Sequence, residues 1–383
     1  MLVATATLCC LSLSGWLYLA FFRGAFWQLT MDDAPEAFEP SVWPSLDVIV
    51  PARNEADMLP QTLPSLLAQD YPGTWRILVV DDHSDDNTSK VALQTAGDSK
   101  GTTVVVLRAP DLQPGWRGKI AAMQAGVAQS TADYVLFTDA DIAHPSDNLR
   151  KLVAHAAHKK IDLTSRMVKL HCSNLAERLL IPAFVFFFGL LYPFRHANAL
   201  DRQEAAAAGG VMLVRRRALN AIGGLAAIKS ALIDDCALAR AIKRHGGADQ
   251  TQGRIELTLT RDTKSLRVYS EVGEIYKMVA RTAFTQLRHS ATLLAATTLG
   301  MLLLFLIPVV FAFFGGAFVK EAAIAAWVVM FMVYLPTVRF YDLPVIWAFA
   351  LPLAALVYIV ATIDSGRLYW QGKGGEWKGR TQA

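Results

Sequence analysis

Apolar positions along the chain follow two patterns: long unbroken runs near the ends, and short runs separated by polar stretches in the middle. Residues 1–22, MLVATATLCCLSLSGWLYLAFF, hold no charge before Arg23, and segments 291–319, 322–338 and 343–363 are similarly apolar. Each approaches or exceeds the ~20 residues that a helix needs to cross a bilayer. A secretory signal carries positive charge ahead of its apolar core, and residues 1–22 do not, so an uncleaved N-terminal anchor is expected.

The middle of the chain alternates. LDVIVPA (46–52), RILVVDD (76–82), TTVVVLR (102–108) and DYVLFTD (133–139) read as short apolar strands. Between them, Leu59, Leu63, Leu66 and Leu67 recur at helical spacing, SDDNTSKVALQTA opens with capping residues, and GKIAAMQAGVAQS supplies a third helix. This alternation predicts an α/β domain whose mostly parallel sheet is covered on both faces. Ligands of such sheets bind beyond the carboxyl ends of the strands. One stretch stands apart: LLIPAFVFFFGLLYPF, residues 179–194, is short for a span and contains Pro182 and Pro193. It is expected to lie in the membrane interface or to form a buried core helix. The predicted organisation is an anchor at 1–23, an α/β domain at 44–288 that includes 179–194, about three spans within 291–363, and a basic tail at 364–383.

Composition supports the membrane reading. The hydrophobic fraction is 53% against 18% charged, too apolar for an ordinary soluble chain. A net charge of +4, without interleaved basic and aromatic residues, gives no reason to expect a nucleic-acid partner. Cys9, Cys10, Cys172 and Cys236 show no CxxC spacing, so neither a disulfide framework nor a zinc site is expected. Arg23, Arg288 and Arg339 favour a cytoplasmic α/β domain, yet three C-terminal crossings would place the basic tail outside. Either one segment is re-entrant or the tail departs from the positive-inside rule.

The candidate chemistry sits at the strand ends. The first strand runs into Pro51, Ala52, Arg53 and Glu55, the second ends in Asp81 and Asp82, and the fourth in Asp139 and Asp141. Carboxylates gathered at one sheet edge repel unless cations or hydrogen-bond donors lie between them. Hard divalent cations take oxygen ligands and keep part of their shell for phosphates, so a metal with a diphosphate is one reading. The other is that Asp81 and Asp82 cap the turn that follows them. A second acidic pair, Asp234-Asp235 in ALIDDCALARAIKRHGG, opens a predicted helix. Burial would raise its pKa and a helix N-terminus would lower it.

VIVPARNEADMLPQTLPSLLAQDYP, VVDDHSDDNTSKVA, GWRGKIAAMQAGV, YVLFTDADI and IDDCALARAIKRHGG, in this order and spacing, resemble the family 2 glycosyltransferases. PAFVFFFGLLYPF, AAAAGGVMLVRRRAL and GEWKGR are similar to the bacterial hopene-associated glycosyltransferases, relatives of ceramide glucosyltransferase. The resemblance implies a GT-A fold, Rossmann-like, in a multi-pass protein of a bacterial inner membrane with its catalytic domain facing the cytoplasm. It implies inverting, non-processive transfer of sugar from a nucleotide-sugar, expected to be a UDP-sugar, to a membrane lipid hydroxyl such as that of a hopanoid. On these positions Pro51, Ala52, Arg53 and Glu55 would line the nucleoside pocket, and Asp82 would bond the base or ribose. Lys119 would lie near the diphosphate, Asp139 would contact ribose or metal, and Asp141 would ligate Mg²⁺ or Mn²⁺. Asp235 would be the general base, with Asp234 in the place usually held by Glu.

Two departures are visible. Gln124 stands where relatives usually carry Asn, and the QxxRW motif of processive synthases is absent. EIYKMVARTAFTQLRHS occupies that region, which makes Arg281 the candidate for a diphosphate contact there. Arg215, Arg216 and Arg217 would face solvent or lipid headgroups, or bind substrate, and His144 is expected to be a loop residue rather than a ligand. The competing functions are a sugar-phosphate nucleotidyltransferase, which leaves Asp235 without a task, and a noncatalytic membrane scaffold.

Overall fold

The computed structural model describes residues 2–32, 38–97, 102–248 and 251–374. The chain divides into two compact units, one made of Thr30–Leu170 and His196–Arg267, the other of Met1–Leu29, His171–Arg195 and Val268–Ala383.

In the first unit the expected alternation appears as β1 (Leu46–Ala52), α2 (Leu59–Leu67), β2 (Trp75–Asp81), α3 (Thr88–Ala96), β3 (Thr103–Arg108), α4 (Gly118–Ala128) and β4 (Tyr134–Thr138). It continues through β5 (Ile142–Ala143), α5 (Asn148–His158), β6 (Leu163–Lys169), β7 (Val211–Arg215), α8 (Arg216–Ala221), α9 (Asp234–His245) and β8 (Ile255–Ser265). The strands form one sheet in the order β3-β2-β1-β4-β7-β6-β8-β5. β1 lies parallel to both β2 and β4, whereas β7 runs antiparallel to β4 and β6.

Alternation along each strand explains the continuous apolar runs. Ile49, Leu78, Val80, Val135, Phe137 and Met212 point into one core, and Val48, Val50, Ile77, Val79, Leu136 and Leu213 into the other. Both faces are covered, so neither parity of position is polar. Ile49 is fully buried, a burial that contributes roughly 1.5–3 kcal/mol. Gly126 lets α4 close on it, since a Cβ there would lie 2.7 Å from Ile49 Cγ2.

The second unit contains α1 (Leu2–Phe22), α6 (Leu175–Leu191), α10 (Val272–Gln286), α11 (Ala291–Met301), α12 (Ile307–Phe314), α13 (Ala317–Phe340) and α14 (Leu351–Trp370), with the short α7 (Phe194–Asn198) at the chain's return to the sheet. Among the described residues, four helical segments are long and apolar enough to cross a membrane: Val3–Phe22, Ala291–Phe314, Ala317–Phe340 and Val345–Trp370. A wide π turn over Leu302–Leu306 loosens the helical ladder, and the Leu304 carbonyl accepts a bond from Trp16 Nε1 at 2.7 Å.

The boundaries differ from those expected in three places. Residues 179–191 of the 179–194 stretch lie in α6, which groups with the apolar helices and not with the sheet, and Phe194 begins α7. A capping box between Asn174 and Glu177 starts it, and Phe186 packs edge-on against Phe26 and Tyr334. Lys320 and Glu321, expected between two spans, lie within the first turns of α13, so the connection shrinks to Gly315-Gly316. α14 runs through Trp370, taking in the start of the expected tail, while residues 375–383, including GEWKGR, lie outside the described residues.

Candidate active site

β1, β2 and β4 are parallel neighbours, so their carboxyl ends meet along one edge of the sheet. At the end of β1, Pro51 and Ala52 pair with Val80 and Asp81, and the Ala52 carbonyl accepts from Asp82 N–H. Arg53 is buried and donates to the carbonyls of Asp82 at 2.6 Å and His83 at 3.0 Å, so its charge braces the β2 turn. The two aspartates of that turn separate in role. Asp81 accepts from the Ser84 backbone and hydroxyl and from Ser89 Oγ, the capping behaviour that needs no ligand. Asp82 is 1% exposed and lies beside His83, 3.4 Å from Nδ1.

β4 ends in the Asp139–Asp141 turn, fixed from below by Thr62 Oγ1, which donates to the Ala140 carbonyl at 2.6 Å. Lys119, in the first turn of α4, places Nζ 2.7 Å from Asp139 Oδ1 and 3.6 Å from Asp234 Oδ2. Burial by itself would lower the Lys119 pKa, but Asp139, Asp234 and Asp235 together outweigh it and hold the amine protonated. Asp141 Oδ2 accepts from Ser265 Oγ at 2.9 Å and Arg267 Nε at 3.0 Å. The same guanidinium reaches Glu55, with Nη2 at 3.0 and 3.2 Å from its two oxygens.

Asp234 and Asp235 are the first two residues of α9, where backbone N–H groups lack helical partners. Asp235 Oδ1 accepts from Cys236 N–H at 2.6 Å and Oδ2 from Gly209 N–H at 3.0 Å. Gly209 suits this close approach, because a Cβ there would sit 3.3 Å from Lys119 Nζ. Burial and the Asp234 carboxylate push Asp235 up to about 7, against the opposing pull of those N–H bonds and Lys119. Although the residue keeps some exposed surface, its carboxyl is enclosed, and enclosure prevails over the helix terminus.

Other candidates are placed elsewhere. His144 is buried within a polar chain: its Nε2 lies 3.0 Å from Thr138 Oγ1, which donates to the Gly210 carbonyl, and Nδ1 accepts from Asn148. Burial and the nearby Arg166 push its pKa down to about 3, so it is a neutral structural pin of the Gly209-Gly210 turn. Arg215 bonds Tyr134 Oη, Arg216 the Ala132 carbonyl and Arg217 the Asp162 carboxylate. β7 pairs Val211 with Thr138 and Arg215 with Tyr134, which sets Arg215 roughly 17 Å along the strand from Gly210. Their partners are therefore the protein's own. Arg281 is exposed on α10, which belongs to the other unit. Gln124 keeps a buried Oε1 with no partner among the described residues.

Residues 47–223 match the model of glycosyl transferase family 2. An N-acetylglucosaminyltransferase of Rhizobium leguminosarum bv. trifolii is 33% identical over 159 residues, covering 39% of this chain and 84% of that protein. The chain belongs to glycosyl transferase family 2. A dolichyl-phosphate beta-glucosyltransferase of Mus musculus is 35% identical over 127 residues, 30% of this chain but only 37% of that protein. A solved mannosyltransferase from Pyrobaculum calidifontis, in complex with GDP-Man and Mn²⁺, superposes with a TM-score of 0.58. It covers 94% of this chain and 99% of its own at 20% identity, which shows the shared GT-A fold.

In this family 2 glycosyltransferase the donor set suits a hard divalent cation only with help from a substrate. Asp139 and Asp141 are two carboxylates one residue apart, and each now rests against a cationic side chain. Among the described residues no cluster of three or more His, Cys, Asp or Glu is arranged to hold a metal by itself. Phosphate oxygens and water would complete the shell, the usual habit of Mg²⁺. Sequence reasoning missed Arg267 and Ser265. Arg267 follows the carboxyl end of a strand, the position that was informative for Glu55 and Asp141, but β8 carries no motif to mark it.

Proposed function

We propose that the chain transfers a sugar from a nucleotide-sugar to a hydroxyl of a membrane lipid, with inversion at the anomeric carbon. The observation that carries this is the Lys119 bridge, 2.7 Å to Asp139 and 3.6 Å to Asp234, which joins the strand-end cluster and the helix-end pair into one site. Asp235 takes the proton of the acceptor hydroxyl as that oxygen attacks the anomeric carbon, and the bond to the diphosphate breaks on the opposite face. Lys119 offsets negative charge on the departing diphosphate. Mg²⁺ or Mn²⁺, held by Asp141 and Asp139, would polarise the leaving group when bound. Pro51, Ala52, Arg53, Glu55 and Asp82 border the nucleoside end.

The four apolar helices and the lipid-linked substrate in the mouse relative's name support a lipid acceptor. Asp235 favours an alcohol over a phosphate, because a phosphate is already ionised at neutral pH and needs no base. A hopanoid-like alcohol is the first candidate and a UDP-sugar the first donor, with the sheet unit on the cytoplasmic side of a bacterial inner membrane. The test incubates the purified full chain in detergent with UDP- and GDP-sugars, Mg²⁺ or Mn²⁺, and either lipid alcohols or polyprenyl phosphates. Mass spectrometry should reveal a glycosylated alcohol; absence of product and of nucleotide release in every combination would sink the proposal.

A further inference from the structure

Arg267 joins two strand-end carboxylates, and the reaction proposed above gives it no task. Its Nε lies 3.0 Å from Asp141 Oδ2, and its Nη2 lies 3.0 and 3.2 Å from the two oxygens of Glu55. The Asp141 and Glu55 side chains are 12% and 9% exposed, while that of Arg267 is 33% exposed. Two enclosed anions thus share one cation that retains a face toward solvent. Its backbone is anchored: Ser265 pairs with Ile142, and Leu266 N–H donates to the Asp141 carbonyl at 2.8 Å. Only the side chain need move to change partners.

A divalent cation on Asp141 would compete with the guanidinium for the same carboxylate, since neither positive charge favours the other nearby. Once displaced, the guanidinium remains next to the expected position of a donor diphosphate. Its planar fork matches phosphate oxygens in pairs, which a lysine ammonium cannot do.

We propose that Arg267 is a resident counter-cation that yields Asp141 to a divalent cation and transfers its guanidinium to the diphosphate of the nucleotide donor. The inference rests on the nucleotide-sugar reading above. It gives Arg267 a diphosphate contact beside that of Lys119, the role for which the sequence had offered Arg281.

The test uses the purified full chain in detergent, with Mn²⁺ binding followed by electron paramagnetic resonance and binding of UDP and GDP followed by calorimetry. In Arg267→Gln, Mn²⁺ alone should bind several-fold tighter because its competitor is gone, whereas nucleoside diphosphate with Mn²⁺ should bind about tenfold weaker or worse. A purely structural ion pair would not move the two affinities in opposite directions, so equal changes in both, or none, overturn the proposal. Arg267→Lys keeps the charge without the fork, and should hold Mn²⁺ affinity near wild type while weakening the nucleotide. If Arg267→Gln does not fold, Arg267→Lys decides, and wild-type nucleotide affinity in that variant overturns the role. Wild-type protein that binds neither nucleotide overturns the donor-site reading itself, a result distinct from failure of the arginine alone.

Discussion

Asp139 and Asp141, at the end of β4, each lie against a cation, Lys119 Nζ at 2.7 Å and Arg267 Nε at 3.0 Å. Asp235, at the start of α9, instead accepts from two backbone N–H groups and has a second carboxylate beside it. The first cluster is charge-compensated and suited to exchange one cation for another. The second is held near the point of taking up a proton. Lys119 touches both, so the contrast is maintained by a single amine whose loss would affect each side differently.

The largest effect is expected at the proton acceptor. Asp235→Asn should lower kcat by about 10²–10⁴-fold with little change in nucleotide affinity, measured by turnover and calorimetry. Turnover near wild type would remove the distinction between the clusters. Lys119→Met comes next, because it leaves two partly enclosed carboxylates, Asp139 and Asp234, without their cation. Solvent screening at Asp139 limits the cost to about 1–2 kcal/mol, read as a lower thermal midpoint.

The pH profile sharpens the same contrast. Asp235 is pushed up to about 7, so the carboxylate is protonated below that pH and able to accept a proton above it. Transfer should therefore rise with pH through about 7. Asp234→Asn removes a like charge and should move this limb toward acid, whereas Lys119→Met removes an attractive one and should move it toward alkali. Shifts of the same sign in both variants would contradict the assignment. The smallest effect belongs to Arg217→Ala, at the far end of β7, where loss of a half-exposed ion pair should cost ~1 kcal/mol or less and leave turnover within about twofold.

How much could be read in advance follows from what each signal depends on. β1 was legible to the residue, Leu46–Ala52, because a strand buried on both faces is apolar nearly throughout, the exception being Asp47, which pairs with Arg76. The four apolar helices were legible by length alone, although their ends were not: Lys320, which looked like a loop charge, sits inside α13. That α6 groups with the apolar helices was not legible, because a short apolar run carries no mark of what will cover it. Within the site, Asp139, Asp141, Asp234 and Asp235 stood out as pairs in sequence, and Lys119 lay beside a recognisable motif. Arg267 stood out by neither criterion.

The sequence alone determined the first four strands and the helices between them, the apolar segments long enough to cross a membrane and the membership of glycosyl transferase family 2, because periodicity, run length and motif order are properties of neighbouring residues. It also placed two acidic pairs about ninety positions apart. Only the tertiary structure decided which charges share them. The 2.7 and 3.6 Å contacts of Lys119, the Arg267 fork across Asp141 and Glu55, and the enclosure that pushes Asp235 up to about 7 all arise between residues distant in the chain. Coulomb energy and desolvation depend on separation and surroundings in space, which the order of residues does not record.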